Sequence, residues 1–380
     1  MRTFPAIACT LGLSLSLSLA GAVHAGTTGG SGPVAVRPLK LTEYVSLKVQ
    51  NHGPDKAEGV VYFLDGLDPS NRVADNFLVT YPYVYELNTK HGWDVISAKF
   101  PNSEHDAGQS LQRASEYVYA RIRELKAQGY RRIVLGGQSW GAWVSIDVAR
   151  HDVDAKVVDA LLLTAPAFYG TKYWRGKENA SYYQNLTEYV KSIKHVRTPT
   201  VATFFQGDEF DPGTRGDITA AFYAQNDVPL MLFDNPPGFA GHGAGWLPSF
   251  ADVFGGCMAA FFKEPEQARC EVDAARAVEA ATPSEYQVKA DSAAEPVRQA
   301  DLVDKSFILV APTTQVRLVK FGRGKLEVAT AAGSSDFDLA ADDSRTCLDD
   351  GCYRAYRLKD GRLVAFDESG AFRGWLDPVK

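Results

Sequence analysis

The stretch IVLGGQSWGAWVSIDVA, residues 133–149, decides how the chain is read. Ile133, Val134 and Leu135 form a short apolar run, the pattern of a parallel strand buried on both faces. A helix-like run follows at once, over residues 141–151. At the tip between them stands one serine, Ser139, with Gly137 two positions before it and Gly141 two positions after it. A strand that becomes a helix in so few residues forces strained backbone angles on the turning residue and lifts its side chain clear of the sheet. Side chains two positions to either side would clash, which accounts for both glycines. A hydroxyl is a weak nucleophile unless it is exposed beside a base, and the helix that follows directs free backbone N–H groups at the same point. The pattern reads as a nucleophile elbow.

Working outward, strand-like runs alternate with longer helix-like ones. Residues 44–49, 60–66, 94–100, 157–166, 198–207 and 229–234 join 132–137 as strands. Residues 108–128 show the clearest helix: Leu111, Ala114, Val118, Ile122 and Leu125 follow a helical apolar period, and Gly129 ends it. Residues 72–91, broken near Pro82, and 247–262 read as further helices. Such alternation predicts an α/β fold, a mostly parallel sheet with helices on both faces.

A nucleophilic serine needs a base, and the base needs an orienting acid. Open parallel sheets keep their sites at the carboxyl ends of the strands. GDEFDP follows the strand at 198–207 and offers Asp208, Glu209 and Asp211; GHGAGW follows the strand at 229–234 and offers His242 between two glycines. His242 is the expected base. Asp211, before a proline at a strand-end turn, is the first choice for the acid. Asp208 is the alternative, since its side chain is also suited to cap the turn, and Glu209 comes third. The developing oxyanion needs preorganised donors. The Trp140 backbone N–H, just after the serine, is one candidate. Leu67, after Gly66 in LDGLDP, is the other; Asp65 and Asp68 beside it read as turn formers.

These residues resemble the α/β-hydrolase-fold serine hydrolases, and within them the exported bacterial esterase-like and dienelactone-hydrolase-like members. The resemblance rests on GGQSWGAW, GDEFDP and GHGAGW, and covers about residues 35–265. It implies cleavage of a carboxylic ester through an acyl-enzyme by Ser139, His242 and an aspartate, with no metal or cofactor. Two departures stand out. Asp65 occupies the place where many members carry histidine before the oxyanion glycine. Asp211 lies four residues after Gly207, where three is more usual.

Between the strands at 157–166 and 198–207 lies a short aromatic and basic insertion of the kind that caps such sites. Tyr173 and Trp174, with Phe239 from the loop after the last strand, are candidates for a substrate pocket; Tyr182 and Tyr183 serve equally as pocket lining or as packing. Lys172, Arg175 and Lys177 read as a solvated face. The insertion lacks the broad apolar face of a lipase lid.

The chain has 380 residues and a net charge of -6, with no basic stripe of the kind nucleic acid requires. Residues 1–25, with Arg2 before a serine-diluted apolar core and Val23-His24-Ala25 at the cleavage position, read as a signal peptide, and predict a periplasmic or secreted protein with no transmembrane segment in the mature chain. Residues 26–34 read as a disordered lead-in, 266–300 as a helical and polar linker, and 301–380 as a β-rich C-terminal module whose partner the sequence does not name. Cys257, Cys270, Cys347 and Cys352 predict two disulfides; proximity favours 257 with 270 and 347 with 352. No spacing suggests a metal site. Asn179 and Asn185 open N-x-S/T sequons. Other readings remain open: a peptidase, amidase or acyltransferase with the same residues, or a cell-envelope binding protein led by the C-terminal module.

Overall fold

The computed structural model describes residues 41–66, 79–100, 107–174, 176–283, 288–289, 296–310, 316–330, 333–338, 345–348 and 351–379. The expected signal peptide, the segment 26–34, Leu67 and Asp68 lie outside the described residues, as do Arg175 and the side chain of Trp174.

The N-terminal part runs β1 (Thr42–Tyr44), β2 (Val60–Leu64), α1 (Pro82–His91), β3 (Asp94–Lys99), α2 (Ala107–Ala127), β4 (Ile133–Gln138), α3 (Trp140–His151) and β5 (Ala160–Thr164). It continues with the short hairpin β6 (Tyr173–Trp174) and β7 (Lys177–Glu178), then α4 (Gln184–Ile193), β8 (Thr200–Phe204), α5 (Arg215–Gln225), β9 (Leu230–Asp234), α6 (Pro248–Lys263) and α7 (Ala274–Ala281). Among the described residues one sheet takes the order β1-β3-β2-β4-β5-β8-β9. Only β1 is antiparallel; every other pairing in it is parallel.

Sequence periodicity accounts for the layers. In β2, Val61 and Phe63 face a core shared with α1 and α6, while Val60, Tyr62 and Leu64 face a second core shared with α2, α3 and α4. Successive side chains of a strand point to opposite faces, so a strand covered on both sides is apolar throughout. β2, β4, β5 and β8 are indeed buried along their whole length. Pro82 starts α1 with its φ already helical, and Gly92 ends it in the left-handed region at φ 75°.

Three elements differ from expectation. The edge strand expected over 44–49 ends at Tyr44, whose hydroxyl turns inward to Asp65, and the chain then bends so that Val49 N–H donates to the Ser46 carbonyl. In the linker expected to be helical and polar over 266–300, helix begins only after Asp273, whose carboxylate caps the N–H groups of Ala275 and Arg276. The Cys257–Cys270 disulfide ties the segment before it to α6. Residues 215–225 carry no apolar period, yet they form α5, because the face that α5 buries consists of Arg215, Gly216, Thr219 and Tyr223.

The C-terminal part is a second, antiparallel sheet. Its strands are β10 (Ser306–Val310), β11 (Val316–Gly322), β12 (Lys325–Thr330), β13 (Gly333–Asp338), β14 (Thr346–Leu348), β15 (Gly351–Arg357), β16 (Leu363–Asp367) and β17 (Phe372–Pro378). Among the described residues their order is β13-β12-β11-β10-β17-β16-β15-β14, so the first and last strands pair at the centre. Cys352 is disulfide-bonded and stands in register opposite Cys347. The sheet is not a tethered appendage. Ile308, Val310, Val364, Phe366 and Trp375 belong to the same core cluster as Phe254 and Met258 of α6. Asp377, itself 4 % exposed, accepts from Tyr85 of α1 and pairs with Lys48 at 2.5 Å. Arg362 pairs with Asp252 of α6 at 2.6 Å. No helix among the described residues is long and apolar enough to cross a membrane.

Candidate active site

Ser139 caps α3 with φ 55° and ψ −119°, a conformation that costs a non-glycine residue about 1–3 kcal/mol. Backbone contacts hold it there. Its N–H donates to the Thr164 carbonyl at 3.0 Å, and its carbonyl accepts from Trp143 and Ala167, each at 3.2 Å. The neighbouring glycines answer to close approach. A Cβ on Gly137 would lie 2.2 Å from the Gly141 carbonyl carbon, and one on Gly141 would lie 2.1 Å from the Leu64 carbonyl oxygen. The elbow is thereby wedged against the end of β2. Gly66, just past that end, lies so near that an added Cβ would sit 3.1 Å from the Ser139 Cβ. The serine is half-buried.

Two loops meet at this bend. Beyond the paired residues of β8 and β9 the chains stay together: Gln206 bridges Ala240 in parallel, and Gly241 N–H donates to the Gln206 carbonyl at 2.8 Å. That pairing sets residue 208 beside residue 242. His242 Nδ1 lies 2.9 Å from Asp208 Oδ1 and 3.0 Å from Asp208 Oδ2. The His242 Nε2 is buried and has no hydrogen-bond partner among the described residues. The His242 carbonyl accepts from the side chain of Gln138, the residue before the serine, at 3.4 Å. The Phe210 ring covers the imidazole, with centroids 4.3 Å apart.

Strand order and loop placement now agree. The bend follows the central strand β4, one loop follows β8, and the other follows the last parallel strand, β9. The protein has the α/β-hydrolase fold. No protein-family model matches the sequence, and no curated protein matches it. Solved structures similar to this chain include a puromycin-hydrolyzing peptidase of Mycobacterium tuberculosis (14% identity, TM-score 0.42, 63% of this chain and 40% of that one). Others are a monoacylglycerol lipase of Paleococcus ferrophilus (13%, TM-score 0.40, 59% and 98%) and an esterase of Pyrococcus furiosus (17%, TM-score 0.40, 59% and 90%). The chain spans less than half of the peptidase's length.

The hydrogen bonding of this site corrects the first-choice acid of the sequence reading. Asp211 does not meet His242. Its Oδ1 accepts from Gly213 N–H at 2.8 Å and from Arg215 Nε at 2.8 Å, which turns the carboxylate away from the imidazole. Asp208, whose side chain is fully buried, takes the position instead, and its Oδ1 also accepts from Phe210 N–H at 2.9 Å. Glu209 is exposed. Phe239 is also corrected as a pocket residue. It is 1 % exposed and packs edge-on against Phe250 and Phe254 in the core. Tyr173 is 62 % exposed on the short hairpin.

Trp140 is the first residue of α3, so its N–H has no acceptor within the helix. Its indole packs on Phe168 with centroids 4.5 Å apart. Leu67, the second expected oxyanion donor, lies outside the described residues. Asp65, read as a turn former, proves to be a half-buried carboxylate that turns inward. Oδ2 accepts from the Tyr44 hydroxyl at 2.7 Å, while Oδ1 is buried without a partner among the described residues. Burial pushes its pKa up to about 7, with the Tyr44 hydrogen bond and Lys99 pulling the other way. Tyr81 and Tyr83 stand nearby, both raised well above the usual phenol range, first by burial.

The insertion folds onto the same end of the sheet. The Tyr182 hydroxyl donates to the Asp211 carbonyl at 2.7 Å. Asn185 is fully buried; its side-chain oxygen accepts from Phe168 and Tyr169 N–H groups at 3.0 and 2.9 Å. The second sequon asparagine is thus an internal brace of the cap. Sequence reasoning missed Arg215 altogether, because a charged side chain in an unremarkable stretch gives no sign of being buried.

Proposed function

We propose that this protein is an exported serine hydrolase that cleaves carboxylic esters through an acyl-enzyme. The observation that carries the reading is His242. Its Nδ1 is held by a buried carboxylate, its Nε2 is buried without a hydrogen-bond partner among the described residues, and its carbonyl accepts from the side chain of Gln138, the residue before the serine at the strained strand-to-helix bend. A Nδ1–H that donates to Asp208 leaves the Nε2 lone pair free to accept a proton, the tautomer that a general base requires.

The chemistry follows from those positions. Ser139 Oγ attacks the ester carbonyl carbon and gives its proton to His242 Nε2. The Trp140 N–H, with a second donor from the loop after β2, stabilises the oxyanion. As the tetrahedral intermediate collapses, His242 returns the proton to the leaving alkoxide. Water then attacks the acyl-serine, with His242 again as base, and releases the acid. Asp208 holds the ring and stabilises its charged form. The signal-like N-terminus and the Cys257–Cys270 disulfide support an oxidising compartment outside the cytoplasm.

A fluorophosphonate probe and turnover of p-nitrophenyl acetate test the reading. Ser139→Ala and His242→Ala should abolish labelling. Asp208→Asn should lower kcat/KM by about 10³–10⁴-fold, the scale of losing the orienting acid, whereas Asp211→Asn should stay within about tenfold of the parent. Labelling that persists in Ser139→Ala, or the reverse ranking of the two aspartates, refutes it.

A further inference from the structure

Arg215, the first residue of α5, is fully buried. Burying a guanidinium costs several kcal/mol unless it is paired and hydrogen-bonded, so its partners define its role. Nε donates to Asp211 Oδ1 at 2.8 Å. Nη1 donates to the Pro166 carbonyl in the loop after β5. The next residue of that loop, Ala167, donates its N–H to the Ser139 carbonyl at 3.2 Å. Nη2 is buried, has no hydrogen-bond partner among the described residues and lies 4.0 Å from Asp208 Oδ2. The rings of Tyr189 and Phe204 flank the guanidinium at 5.7 and 5.3 Å. One side chain therefore links the turn that carries Asp208 to the loop that braces the elbow, and sets a positive charge behind the carboxylate that holds His242.

We propose that Arg215 is a positioning residue for the Ser139–His242–Asp208 site: its guanidinium ties the two loops together and offsets the Asp208 charge, which keeps His242 from being over-stabilised as imidazolium. The proposal rests on the catalytic reading above. Of the groups that surround it, Asp211 shares the guanidinium and Tyr182 reaches the Asp211 carbonyl. Tyr189 lies beneath, Glu209 is exposed on the same turn, and Asp234 lies against Gly216 of α5, where the charges of Asp217 and Asp211 reach it. In that arrangement a neutral residue at 215 leaves the Asp208 carboxylate at the imidazole and the Asp211 carboxylate behind it both uncompensated, which favours protonation of the ring. A neutral residue at 211 leaves the cation uncompensated beside Asp208, which disfavours it.

The test is the pH profile of kcat/KM on p-nitrophenyl acetate with the full mature protein. Arg215→Met should move the acid limb to higher pH by about one unit, the scale for loss of one charge at this range in a partly desolvated site. Arg215→Lys should bring it back toward the parent. Asp211→Asn should move it the other way, to lower pH. Opposite shifts from the two partners distinguish an electrostatic role from lost packing, which would lower kcat and leave the limb in place. If Arg215→Met does not fold by circular dichroism, Asp211→Asn and Arg215→Lys decide. An unmoved limb in the folded variants overturns the proposal. Loss of the catalytic reading itself would show separately, as labelling that survives in Ser139→Ala.

Discussion

Asp65→Asn should stabilise the protein at alkaline pH and leave it unchanged in acid. The carboxylate has one oxygen bonded to Tyr44 and one buried with no partner among the described residues, and its pKa rises from an ordinary 3.8 to about 7 because burial disfavours the charged form. Below pH 4 the group is protonated in both folded and unfolded chains and contributes nothing. Between pH 4 and 7 the unfolded chain releases the proton and the folded chain keeps it, so stability falls as pH rises. Above pH 7 the loss is complete. At 1.36 kcal/mol for each pH unit, the interval corresponds to roughly 4 kcal/mol, an upper limit for a side chain close to solvent. Asparagine keeps an acceptor for Tyr44 and carries no charge, so the expected gain is about 1–3 kcal/mol at pH 8.5 and near zero at pH 4. Denaturant unfolding of both proteins across that range, with disulfides intact, measures the difference. A difference that does not change with pH, or an Asn variant less stable than the parent at pH 8.5, would refute the account.

Two further outcomes follow from the packing. Gly141→Ala places a methyl group 2.1 Å from the Leu64 carbonyl oxygen, where backbone meets backbone; it should cost about 3 kcal/mol in thermal unfolding, the upper end of the usual overpacking range, and most of the turnover that the proposed function expects. Ending the chain at residue 295 removes Ile308, Val310, Val364, Phe366 and Trp375 from a core that they share with α6. At about 1.5–3 kcal/mol for each large apolar side chain, the loss rivals the 5–15 kcal/mol by which a whole domain is stable. Size-exclusion chromatography and turnover of the truncated chain check it; a soluble monomer with full activity would show that the sheet is dispensable.

The elbow was legible in the sequence because everything that forces it is local. An apolar strand, a serine and two glycines at fixed spacing state the close approaches later found at Gly137 and Gly141. His242 was legible for a similar reason, since glycines on both sides at a strand end mark a shaped loop. The acid was not. Asp208 and Asp211 are three residues apart on one turn, and both suit it by residue type. What separates them is Arg215, which draws Asp211 into an ion pair and leaves Asp208 to the imidazole. Phe239 misled for the converse reason: its neighbours in sequence are loop residues, while its neighbours in space are Phe250 and Phe254.

By itself the amino-acid order determined the alternation of strands and helices, the parallel sheet, the bend at Ser139 and the antiparallel character of the C-terminal strands, because each depends on periodicity or sterics within a few residues. Only the tertiary structure decided which aspartate meets His242, that an arginine lies buried behind it, and that the C-terminal sheet completes the core under α1 and α6. Those outcomes depend on which distant groups satisfy a buried charge or cover an apolar face, and no local pattern records that choice.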